Sequence, residues 1–128
     1  MSANEFSAEE FAEARRILRD AAELIDQRGW ARFFFETSEG EHCLLGAVRH
    51  ATDGSIYETR KSALATRLLA EELRARGFQG DPEQDYEWMA DAQYRREAED
   101  FDLATDWNDA DDRTREEVVR LLREVGQG

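Results

Sequence analysis

The residues best able to do chemistry in this sequence are a His-Cys pair, a Trp-Asn-Asp stretch followed by arginine, and a dense run of carboxylates. His42-Cys43 stands just before an apolar stretch that begins at Leu44 and reads as a short helix. A helix N-terminus favours thiolate over thiol, so Cys43 has one ingredient of a nucleophile. A base is the missing one. His50 follows seven residues later, roughly 10 Å along a helix axis, and His42 points elsewhere if its segment is helical. Cys43 is therefore expected to be a buried, structural side chain, and no catalytic residue is assigned. One Cys and two His, with no Cys-x-x-Cys or His-x-x-x-His spacing, do not make a zinc site. An EF-hand register from Asp100 places Asp102, Asp106 and Asn108 suitably. It fails at Ala104, at Thr105 where glycine is required, and at Asp111 where glutamate is required. No metal and no cofactor is expected, and there is no phosphate loop or Gly-rich cofactor fingerprint.

Trp107-Asn108-Asp109, with Arg113 after it, admits two readings. In the structural one, Trp107 fills a gap between helices, Asn108 and Asp109 make a turn, and Arg113 pairs with Asp109 or Asp112. In the other, Trp107, Asn108, Asp109 and Arg113 form a ligand or partner site. A pocket near Trp30, Cys43, Trp107 and Asn108 would suit a small-ligand binder or an enzyme.

Charge is the third feature. The chain carries 16 Arg, one Lys (Lys61) and 30 acidic residues, for a net charge of −13. Residues 81–112 hold 13 Asp/Glu against two Arg, leaving −2 for all the rest. Such a field repels nucleic-acid phosphates and attracts basic surfaces. Tyr86, Trp88, Tyr94 and Phe101 interleave with these carboxylates. The plain reading is a solvated helix face. The functional one is a docking face of Asp81, Glu83, Asp85 and Glu87 with Trp88 as apolar anchor, for a basic protein partner. The Arg-for-Lys bias suits a GC-rich genome.

These groups must be positioned by helices. Ser7 and Glu10 form a capping box, with Phe6 and Phe11 as a hydrophobic staple. Phe11, Ala14, Leu18, Ala21 and Ile25 follow at helical period, and Gly29 ends the element. Trp30 to Glu36 is short and aromatic and reads as a strand, paired with a short segment at 41–44 across the Ser38-Glu39-Gly40 turn. Leu44 to Ala51 reads as a short helix stopped at Asp53-Gly54. A second box, Ser55 with Glu58, opens a helix from about Ile56 to Arg76, with Gly77 and Phe78 closing it. Asp81-Pro82 with Gln84 predicts a thin-faced helix over 82–98, followed by a loop at 106–110. Thr114 with Glu117 caps a last helix ended by Gly126.

Arg28-Gly29-Trp30, Cys43-Leu44-Leu45-Gly46-Ala47, and Trp107-Asn108-Asp109 with Arg113-Thr114 and Glu117-Val118 occur together here. In this combination the chain resembles a family of small proteins from actinobacteria and their phages that has no assigned activity. The likeness spans roughly residues 10–52 and 103–125. Phe33-Phe34-Phe35 and the acidic stretch 79–100 depart from it. The resemblance implies placement and no chemistry.

The expected fold is mainly α (α+β): four to five helices around one core, with a small β-hairpin or strand pair near residues 30–44. One domain over 1–128 is expected, with an acidic helical elaboration at about 79–112. The N-terminus has no secretory pattern, no apolar run is long enough to span a bilayer, and the lone cysteine suits a reducing cytoplasm. The favoured function is a non-catalytic protein-binding or regulatory module, with neither direct nucleic-acid nor membrane contact.

Overall fold

A computed structural model describes residues 6–55 and 57–128. Among them are five helices: α1 (Ala8–Arg28), α2 (Leu44–Asp53), α3 (Arg60–Ala75), α4 (Ala92–Asn108) and α5 (Arg115–Gln127). The N-terminal residues 1–5 and Ile56 lie outside the described residues.

The α1 start follows its sequence signal. Ser7 Oγ accepts from Glu10 N at 3.1 Å, and Glu10 accepts from Ser7 N at 2.9 Å. The Phe6 and Phe11 rings meet edge to face at 6.1 Å. The buried stripe of Ala14, Ile17, Leu18, Ala21, Ala22 and Ile25 packs against α5, α2 and α3. The residues buried on these helices join Leu103, Ala104 and Trp107 of α4 in one apolar cluster. None of the helices is long and apolar enough to cross a membrane.

Four expectations are corrected. The β-hairpin near 30–44 is absent: the described residues contain no strand, only two isolated bridges, and both fall on His42. Trp30 bridges it in parallel and Glu36 antiparallel, so the aromatic segment loops around His42. The cause is local. Phe33 has φ 71°, and its N–H is held by Asp109 Oδ1 at 3.0 Å instead of a neighbouring strand.

The α3 helix begins later than Ile56. Its N-cap is Thr59, boxed with Ser62, while Glu58 pairs with Arg49 at 3.3 Å. Its end is as expected: Gly77 N and Phe78 N donate back to Arg74 O and Leu73 O.

The expected helix over 82–98 is replaced by turns through Met89 and a helix that starts at Ala92, with Asp91 as N-cap. Asp81 and Asp85 accept from the backbone N–H two residues on, each at 2.9 Å. These Asx turns compete with helix formation. Burial selects the later segment instead. Asp100, Leu103, Ala104, Trp107 and Asn108 are all buried at helical spacing. Trp107 and Asn108 therefore lie in the last turn of α4, not in a loop.

Finally, α5 continues past Gly126. A Cβ there would meet Arg19 Cγ at 2.7 Å and Arg15 O at 3.0 Å, so glycine lets α5 approach α1. Arg15 and Arg19 return hydrogen bonds to Val125 O and Gly126 O, at 3.0 and 2.5 Å.

Candidate functional site

The three sequence stretches of the resemblance meet at the C-terminal end of α4. Asn108 is the junction, with 1% of its surface exposed. Its Oδ1 accepts from Trp30 Nε1 at 2.7 Å and from Leu44 N at 3.0 Å. Its Nδ2 donates to Ala31 O at 3.2 Å and Asp109 Oδ1 at 2.9 Å. Two donors and two lone pairs are thus all engaged by the chain itself. One amide joins α4 to the 30–42 loop and to the first turn of α2.

The neighbouring side chains brace this junction. Arg113 lies over the Trp107 ring at 3.9 Å, donates from Nε to Trp107 O at 2.8 Å, and stands 3.5 Å from Glu117. Arg32 stacks on Trp30 at 4.8 Å and donates to the carbonyls of Ala110, Asp111 and Arg113. Such cations suit the carbonyl end of a helix. Of the four residues expected to form a ligand or partner site, Trp107 and Asn108 are buried in contact with the fold. Asp109 is partly exposed, and Arg113 braces Trp107 instead of pairing with Asp109 or Asp112.

Cys43 is the N-cap of α2, and its Sγ accepts from Gly46 N at 3.3 Å. Burial pushes the thiol pKa up, outweighing the backbone N–H groups of Gly46 and Leu45 that favour thiolate. Gly46 is required by close approach: a Cβ would lie 2.0 Å from Phe35 O. The Cys-x-x-Gly spacing thus serves both as a cap and as a seat for the aromatic loop.

His42, the other half of the His-Cys pair, is fully buried. Neither ring nitrogen makes a hydrogen bond of ordinary geometry. Nε2 stands 3.8 Å from Glu36 Oε1, and the ring meets that of His50 edge-on at 5.1 Å. His42 precedes α2, which lets the chain fold its ring back onto His50. Burial lowers its pKa; Glu36 opposes that shift, while His50 and Arg28 add to it.

Beside this junction is a cavity of about 260 Å³. Cys43 and Asn108 line it, as the expected pocket required, but Trp30 and Trp107 do not. Phe33, Phe34, Phe35 and Phe101 supply its aromatic wall, and Asp109 its carboxylate. Phe101 comes into it because α4 extends past 98, a placement the sequence did not predict.

The acidic residues lie elsewhere. Asp81, Glu83, Asp85 and Glu87 are exposed on the irregular segment before α4, and Trp88 beside them is 77% exposed. Tyr86 ties this segment to α4, donating to Asp102 Oδ2 at 2.5 Å.

No curated protein and no solved structure matches the chain. Residues 11–127, which include every residue of this junction, match the model of a family of unknown function, DUF6197, and the chain belongs to that family.

Proposed function

We propose that the chain is a non-catalytic protein-binding module of the cytoplasm, folded as one domain over 1–128, which docks a basic protein surface through residues 81–91. The observation that carries this reading is Trp88, an indole held 77% exposed on an irregular segment between carboxylates. Exposed aromatic surface inside a single-sign charged patch has the composition of an anchor within a steering field. Asp81, Glu83, Asp85 and Glu87 supply the field, and none of them is in an ion pair among the described residues. Two observations at the Trp-Asn-Asp junction support a non-catalytic role. Asn108 has its hydrogen-bonding capacity filled by the chain, and Cys43 is held as a thiol.

The test is capture of partners by immobilised protein, followed by association kinetics at two salt concentrations. Replacing Asp81, Glu83, Asp85 and Glu87 together by Asn or Gln should slow association more than it speeds dissociation. Trp88→Ala should mainly speed dissociation. Binding that is independent of salt, or that survives both variants unchanged, overturns the reading.

A further inference from the structure

The cavity beside Asn108 differs from the rest of the surface in the chemistry of its wall. Four phenylalanines line it: Phe33, Phe34, Phe35 and Phe101. Phe33 and Phe34 are 70% and 63% exposed, so two rings face water at its mouth. Among the lining residues Asp109 is the one charged side chain, and no Lys or Arg belongs to the wall. Its Oδ1 accepts from Phe33 N and Asn108 Nδ2. A carboxylate has acceptor capacity beyond those two bonds.

The mouth is also where the backbone is strained. Phe33 is the one non-glycine residue with positive φ among the described residues, at 71°. An aromatic residue there is a conformational outlier, and such strain collects at binding sites. The Asp109 bond to Phe33 N fixes that conformation. The same carboxylate therefore sets both the ring position and the charge of the cavity.

Ligand class follows from these groups. Aromatic faces carry negative quadrupole and attract cations, most strongly cations with little hydration of their own. An anion would meet Asp109 in a molecule of net charge −13. A neutral apolar ligand would cover Asp109 without pairing it. Arg49 already lies over Phe35 and Phe101, at 4.8 and 5.2 Å, with Glu58 beside it at 3.3 Å. The Phe33 and Phe34 faces are the ones left to a ligand. At about 260 Å³ the cavity is below the usual range for drug-sized ligands, so the group it holds is small.

We propose that this cavity binds a quaternary or alkylated ammonium group, its methyls against Phe33 and Phe34 and its charge facing Asp109. The site is separate from the acidic segment 81–91, and either proposal can fail alone.

The experiment titrates the full chain with choline and with its neutral isostere 3,3-dimethylbutan-1-ol, at constant ionic strength, and follows backbone amide NMR shifts. Choline should move the amides of Phe33, Phe34, Thr105 and Asp109, and bind about tenfold more tightly than the isostere. Asp109→Asn keeps an acceptor for Phe33 N and should remove most of that preference. Should Asp109→Asn fail to fold, Phe34→Leu decides. This exposed site keeps apolar surface but loses its ring, so choline binding should fall several-fold while the isostere is unaffected. A peptide carrying trimethyllysine, titrated in the same way, distinguishes a side-chain source of the group from a free small molecule by binding more tightly than choline. Equal binding of choline and the isostere, or shifts confined to other amides, overturns the proposal.

Discussion

Asn108 and His42 are buried polar residues with opposite satisfaction, and each implies a measurement. Asn108→Ala would leave the Trp30 indole N–H and the Leu44 N–H without their acceptor. An orphaned buried donor costs about 1–3 kcal/mol and the part-buried indole N–H costs less, so we expect a loss of roughly 2–4 kcal/mol by denaturant unfolding. Asn108→Asp would keep the acceptor but lose the bond to Ala31 O and add a charge beside Asp109. It should therefore be destabilising as well, and less so at low pH. Neither ring nitrogen of His42 makes a hydrogen bond of ordinary geometry, and burial puts its folded pKa below the ordinary value. The unfolded chain binds the proton more readily, so His42's contribution is fully present above about pH 6.5 and is lost as pH falls below it. Glu36 moderates the loss, while His50 and Arg28 deepen it. His42→Phe should flatten the pH dependence of unfolding between about pH 7 and 5. An unchanged slope would show that His42 is not the titrating group.

At the scale of elements, the segment before α4 is held to the fold by few side-chain ties. Its ties to α4 are Tyr86 to Asp102, Gln84 Nε2 to Asp102 at 3.4 Å, Asp81 N to Asp106 at 3.3 Å, and Arg95 to Met89 O at 2.8 Å. Most of its side chains are exposed. Amide exchange should show residues 81–91 opening before α1 and α3, whose faces are buried in the core. Tyr86→Phe should raise that exchange further, leaving α1 and α3 untouched. The Tyr86 phenol is pushed up to about 12, chiefly by burial and by its bond to Asp102. A spectrophotometric titration should show a late ionisation step near pH 12, and Tyr86→Phe should remove it. Protection of 81–91 equal to that of α3 would mean the segment is packed, which would weaken its role as a docking face.

For the whole molecule, charge is the dominant quantity. Of the net −13, residues 81–112 carry −11. Like charges at that density repel, and salt screens them over about 8–10 Å near physiological ionic strength. Adding salt should therefore stabilise the fold, by about 1 kcal/mol or a shift of about 4 °C in Tm for a chain of this size. The variant with Asp81, Glu83, Asp85 and Glu87 neutralised should show a smaller salt effect. A fall in Tm with added salt would mean that favourable ion pairs, such as Arg74 with Asp100 at 2.9 Å, outweigh the repulsion. Signals carried by neighbours in sequence were legible without the fold. The Ser7–Glu10 and Thr114–Glu117 boxes, the α1 core stripe and the Gly77-Phe78 end need only residues a few positions apart. The regional acidity is likewise a property of composition. Elements with weak local preference were decided by long-range partners. Phe33 gives its N–H to Asp109, 76 residues away, and the hairpin is lost. Asx turns at Asp81 and Asp85 compete with the expected helix, while burial of Leu103, Ala104 and Trp107 draws α4 toward the C-terminus. Asn108, Trp30 and Leu44 are brought together by the same packing. Local spacing can mark a cap or a stripe, but only the folded core decides which backbone and side-chain groups are left to satisfy one another.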